Sequence, residues 1–144
     1  MTWEFGLDPN IAQRLWIHWF NPTTDCFASS IFHLKKNYFS FFPDPNAAQR
    51  DAFSVIRWPR LIYAFPPVPW IPLTLEKIRK DNCKAIMIVP HWESAKWWDV
   101  LHQLLLDVPL PLGDHRAVLI TAQDRRLPYM GHLVACLLGN SSHS

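Results

Sequence analysis

An α/β domain with a mostly parallel sheet between flanking helices is predicted by three stretches of the chain. Leu61 to Phe65 is a short apolar run rich in strand formers, and Pro66-Pro67 stops it. Ile71 to Lys80 places Ile71, Leu75 and Ile78 on one helical face. Ala85 to Val89 is a second unbroken apolar run, stopped by Pro90. Strand, crossover helix and strand make a βαβ unit, whose two strands are expected to be parallel and covered on both faces. This plan is Rossmann-like, and in such sheets ligands bind beyond the carboxyl ends of the strands. Both ends here carry proline, in Pro66-Pro67 and Pro90-His91-Trp92, so a site is expected there.

The other elements follow from local signals. Asp8-Pro9 is a helix start, with Asp as N-cap and Pro at the first helical position. Ile11, Leu15, Trp16 and Trp19 then recur at helical spacing to about Phe20, and Asn21-Pro22 ends the helix. Thr23 to Ala28 predicts a brief strand and Ser29-Ser30 a turn. Lys35 to Arg50 reads as irregular. Beyond the second strand, Ser94 is the expected cap of a helix with Trp97, Trp98, Leu101, Leu104 and Leu105 as its apolar stripe. Pro109 to Gly113 breaks it, and Ala117 to Thr121 predicts a last strand near a sheet edge. Residues 1–138 are expected to form one domain and 139–144 a disordered tail.

With 144 residues, 49% of them apolar, the chain is long enough to bury a real core. A net charge of +2 does not by itself demand a nucleic-acid partner. The three cysteines are odd in number and widely spaced, which argues against zinc and against a disulfide framework, and for a reducing compartment. No metal site is expected. No apolar run is long enough to cross a membrane, and Met1-Thr2-Trp3-Glu4 lacks the features of a signal peptide. The chain is therefore read as intracellular, in cytoplasm or nucleus. With only four glycines, G-x-G-x-x-G and the P-loop are both absent, which counts against a phosphate-cradling loop.

Several short runs, in order, resemble the segment that follows the reverse transcriptase and RNase H regions in DIRS-type tyrosine-recombinase retroelements (retrotransposons). They are Asp25-Cys26-Phe27-Ala28-Ser29, Asp44-Pro45, Asp51-Ala52-Phe53-Ser54 with Trp58, and Tyr63 to Pro67. Pro90, Trp92 and Trp97 follow, and Leu133-Val134-Ala135 with Leu138-Gly139 close the set. That segment is in turn similar to Dam-like DNA adenine N6-methyltransferases. The resemblance implies a methyltransferase-like fold, S-adenosylmethionine as cofactor, and nucleic acid (DNA or an RNA–DNA hybrid) and the other polyprotein domains as partners. It also implies that a chain starting at Met1 is a fragment or a domesticated remnant of a longer protein.

Residue by residue, the resemblance puts Asp25, Phe27 and Ser29 at the cofactor. It puts Phe65-Pro66-Pro67-Val68 at the catalytic tetrapeptide, with Asp51 as the acidic residue of the stretch between them. In the family an Asn or Asp and a proline-fixed carbonyl accept from the adenine amine, and an aromatic ring stacks on the flipped base. Here Phe65 stands in place of the Asn or Asp and Val68 in place of the aromatic, with Trp70 two residues on as a substitute ring. The expected chemistry is therefore degenerate. The alternative is a structural, protein-interaction module of the polyprotein.

Each of these residues also has a plainer reading. Asp25 can cap a strand-to-helix turn, Pro66-Pro67 can be a rigid turn without a ligand, and His91 fits a surface position better than a catalytic one. Cys83 belongs to a polar turn before a strand, and it does not form a nucleophile pair with His91. Trp97 and Trp98 cannot both face inward on one helix. Arg57, Arg60, Lys77, Arg79, Lys80, Lys84 and Lys96 are expected as a stripe beside the strand ends, either a solvated face or a nucleic-acid groove.

Overall fold

A computed structural model of the chain describes residues 5–28, 33–40, 52–121 and 127–140. Strand β1 (Phe5–Leu7) leads into helix α1 (Pro9–His18). The Asp8 side chain accepts from the Asn10 amide at 2.8 Å, so the predicted cap is made. Strand β2 (Thr24–Ala28), strand β3 (Tyr38–Ser40) and strand β4 (Leu61–Ala64) follow. A single 3-10 turn (Val68–Trp70) then precedes helix α2 (Ile71–Asp81), which returns the chain to strand β5 (Lys84–Pro90). Asn82 closes α2 in the left-handed conformation (φ 56°), a cap that asparagine tolerates. Helix α3 (Trp98–Leu104), strand β6 (Leu110–Asp114), helix α4 (His115–Val118), strand β7 (Leu119–Thr121) and strand β8 (His132–Leu138) complete the order.

The main sheet has six strands in the order β3-β2-β4-β5-β8-β6. The predicted βαβ unit is present, with β4 parallel to β5 in register from Leu61↔Lys84 to Ala64↔Met87. β2 is parallel to both β3 and β4. The sheet is mixed rather than parallel throughout. β8 runs antiparallel between β5 and β6, pairing Ala85↔Leu138 through Pro90↔Leu133 on one side. β1 and β7 form a separate two-stranded antiparallel sheet.

Several sequence expectations need correction. Lys35 to Arg50 is not wholly irregular: β3 lies within it, paired to β2. Ala117 to Thr121 is not an edge strand of the main sheet. It divides between α4 and β7, because the Asp114 side chain caps the Arg116 amide at 2.8 Å and starts a helical turn. The Pro109 to Gly113 stretch is largely strand β6, and Leu133 to Leu138 is a full strand. Ser94 does not cap α3, whose N-cap is Trp97 without a side-chain bond. Gly139 is tied down, donating its amide to the Leu104 carbonyl at 2.9 Å.

The sheet separates two apolar layers. On one face Ile62, Ala64, Met87 and Val89 pack against Ile71, Leu75 and Ile78 of α2 and Leu101 and Leu104 of α3. On the other, Tyr63, Phe65, Ile86 and Ile88 meet Leu15 and Trp16 of α1, Phe5 and Leu7 of β1, and Leu119 of β7. The period-two alternation of a strand makes this division, since successive side chains leave opposite faces. Trp97 is buried while Trp98 is half-buried and stacks on His91 (5.1 Å, 23°), so the two tryptophans do split. Among the described residues, no helix is long and apolar enough to cross a membrane.

Candidate functional site

From β2 the chain steps outward to β3, then returns to place β4 on the other side of β2. The strand order therefore reverses between β2 and β4, and an open α/β sheet offers its ligand crevice at such a point. A cavity of about 150 Å³ lies there. Its walls are Asp25 and Phe27 of β2, Tyr63 and Phe65 at β4, the strand β1, Pro9, His33, Leu34 and Ile120. A space of that size takes roughly one benzene-sized ring or a handful of waters.

Two polar groups face one another across β2 and β4. Asp25 and Tyr63 are Cα partners in the sheet register, so their side chains share a face. Asp25 is 2% exposed. Its Oδ2 accepts from the Leu34 amide at 2.9 Å and its Oδ1 from the Phe27 amide at 3.3 Å. Burial nevertheless dominates, raising its pKa from 3.8 to about 7 against the pull of those two amides. The Tyr63 hydroxyl is buried and has no hydrogen-bond partner among the described residues. Burial pushes its pKa up, and the Asp25 charge adds to this. Its ring is held edge-on by Trp16 (5.3 Å, 76°). A buried hydroxyl left unmade costs about 1–3 kcal/mol. A cavity wall that presents an orphaned hydroxyl beside spare carboxyl lone pairs suits a ligand carrying hydrogen-bond donors.

The tetrapeptide position is built differently. Phe65 is 4% exposed and packs edge-on against Phe5 (5.9 Å, 72°), so an aromatic ring stands where the resemblance leads one to expect an amine acceptor. Pro66 is buried and Pro67 half-buried. The Pro67 carbonyl already accepts from the Trp70 amide at 2.9 Å. Trp70 sits edge-on to Phe53 (5.6 Å, 72°), which packs with the α2–α3 layer, and it does not line the cavity. Phe27 lines the cavity and also contacts Phe53 (5.6 Å) and Trp58 (5.9 Å). Asp51 and Ser29 lie outside the described residues.

The remaining candidates fall elsewhere. His91 is exposed and reaches Glu93 at 3.1 Å. Cys26, Cys83 and Cys136 are free and buried, and burial raises each thiol, Cys83 and Cys136 to about 12, so none is a ready nucleophile. Among the described residues, no group of three or more His, Cys, Asp or Glu gathers as a metal site. The expected basic stripe is divided. Arg60 and Lys84 flank the amino ends of β4 and β5, and Lys96 follows β5 at its carboxyl end.

Sequence reasoning places Asp25 and Phe65 at one site, and both line the cavity. It misses the part played by Tyr63, although alternation through Leu61 to Phe65 already puts Tyr63 on the face of Phe65. It also misses β1, which closes the cavity and carries no motif. The chain matches no family model and no curated protein.

Proposed function

We propose that the chain is a methyltransferase-type α/β domain of retroelement origin, associated with nucleic acid. It keeps a pocket for part of S-adenosylmethionine and has lost the acceptors for a substrate amine. One observation carries the reading: the Asp25 carboxyl and the orphaned Tyr63 hydroxyl line one cavity where the strand order reverses. A Rossmann-like plan is supported by the four parallel strands and this reversal, and a single reversed strand toward the far edge is compatible with its methyltransferase-like variant.

The ammonium and ribose hydroxyls of S-adenosylmethionine are hydrogen-bond donors, which Asp25 and Tyr63 can accept. A cavity of about 150 Å³ admits one end of that molecule, since pockets that bury whole drug-sized ligands run to about 300–1,000 Å³. At the tetrapeptide, the Phe65 side chain offers no acceptor, and the Pro67 carbonyl already accepts one bond from the Trp70 amide. Losing such acceptors typically costs orders of magnitude in rate.

Calorimetric titration with S-adenosylmethionine tests this. Micromolar binding that vanishes in Asp25→Ala and weakens in Tyr63→Phe is expected, with no methyl transfer to adenine-containing DNA. Absence of heat at high micromolar ligand, from a chain shown to be folded, would overturn the cofactor reading. The interaction-module reading would then gain weight. It is favoured by Ile56 (95% exposed) and Leu73 (53% exposed), brought to one side of α2 by a Lys77 ammonium that donates to the Ile56 carbonyl at 3.4 Å.

A further inference from the structure

We propose that the amino-terminal end of the parallel strands is a docking surface for the phosphate backbone of single-stranded nucleic acid. The inference deepens the nucleic-acid part of the function proposed above and uses side chains that do not line the cofactor pocket.

The register gathers the charge. The Lys84 amide donates to the Arg60 carbonyl at 2.7 Å, and the Thr23 amide to the Leu61 carbonyl at 2.9 Å, so the starts of β2, β4 and β5 lie side by side. Lys36 precedes β3, whose Tyr38 is the Cα partner of Asp25 in β2. Lys80 is in the last turn of α2, which ends at this same edge. Arg57 lies close enough to lower the Cys83 thiol against its other influences. Lys36, Arg57, Arg60, Lys80 and Lys84 are all exposed, and none has an ion-pair partner among the described residues.

Two carboxylates at this end are already engaged. Asp81 pairs with Lys77 at 2.8 Å and accepts from the Trp58 amide, and Asp107 accepts from the Trp19 indole at 2.9 Å. Five cations without an ion-pair partner among the described residues make this end a basic surface. Such a surface complements a polyanion.

The spacing suits phosphates. Four neighbouring strands at ~4.8 Å span about 14 Å. That is roughly four nucleotides at ~3.4 Å each. Aromatic rings lie among the cations: the Lys84 ammonium is over the half-buried Phe20 ring at 5.6 Å, and Trp19 is half-buried beside it. Cationic grooves interleaved with aromatic rings favour single strands, whose bases can stack. No base-specific contact is implied.

The test is fluorescence anisotropy of a labelled single-stranded oligonucleotide with the full chain, over a range of salt concentrations. The logarithm of the affinity is expected to fall with log salt at a slope near −3, from ~0.7 per phosphate over about four contacts. Arg60→Glu with Lys84→Glu is expected to weaken binding at least tenfold at intermediate salt. Lys96→Glu makes the same charge change as Lys84→Glu at the other end of β5, and it is expected to leave affinity within about twofold. Equal effects of Lys84→Glu and Lys96→Glu would overturn the assignment, as would tighter binding of a duplex than of the single strand. No binding at low salt by a chain that still gives cofactor heat would refute this surface alone.

Discussion

Replacing Asp25 with asparagine isolates the cost of holding a carboxyl in the cavity wall. Burial raises its pKa from 3.8 to about 7 in the folded chain, so the folded state binds this proton more tightly than the unfolded state. Stability from the group is therefore full below the unfolded value and is lost as pH rises through the folded one. With those two values, linkage gives about 3 kcal/mol of stability lost between roughly pH 5 and pH 8. Asparagine has nearly the same shape and keeps one acceptor for the Leu34 amide, but it carries no titrating charge. Urea denaturation of both proteins at the two pH values reads the difference directly, because the two proteins differ only at this side chain. The wild type should lose about 3 kcal/mol more than Asp25→Asn over this interval. Parallel pH profiles would refute the reasoning, showing that the carboxyl is not desolvated and that the cavity is open to water around it.

Two further outcomes follow from the packing. Tyr63→Phe removes a buried hydroxyl without a partner while keeping the ring against Trp16, so the unliganded variant should be at least as stable as the wild type in a urea titration. A loss of more than about 1 kcal/mol would mean that the hydroxyl is bonded after all. Asp81→Ala strips Lys77 of its partner at 2.8 Å and the buried Trp58 amide of its acceptor. Thermal melting should show a loss of about 3 kcal/mol, as breaking a buried pair does. An unchanged melting temperature would show that this anchor is solvated.

The parts of the fold legible in the sequence are those with local causes. Asp8-Pro9 starts α1 through a bond two residues long, and the β4–α2–β5 unit follows from two apolar runs around a helical stripe. The rest depends on partners distant in sequence. Pro109, Pro111 and Gly113 look like breakers, yet β6 lies at the sheet edge, where a missing amide donor leaves no neighbouring carbonyl unsatisfied. Leu133 to Leu138 carries a strand's composition, but its reversed direction is set by pairing with β5 and β6 rather than by its own residues. β1 and β7 are three residues each and, as strands, pair only with one another. Within the site, Asp25 and Phe65 stand out because they punctuate strands. Tyr63 does not, since nothing in the sequence reveals that its hydroxyl lacks a partner. The division of the basic stripe was within reach: Arg60 and Lys84 flank the starts of parallel strands, so the βαβ unit alone puts them opposite a site at the strand ends.

That opposition bears on what the chain can do with nucleic acid. Arg60 and Lys84 stand at the amino ends of β4 and β5, whereas Phe65 and Pro67 follow the carboxyl end of β4. A base-modifying enzyme must bring a flipped base to the carboxyl ends, beside the cofactor. Cations at the amino ends, if they hold a strand as proposed, hold it away from the carboxyl end of β4. At the carboxyl ends, meanwhile, Phe65 presents a packed ring and the Pro67 carbonyl is already bonded. Under the proposed function the two departures are one: a domain without the side-chain acceptor for an amine would need no phosphate contacts beside the pocket, and its remaining cations would hold a strand rather than present it for modification.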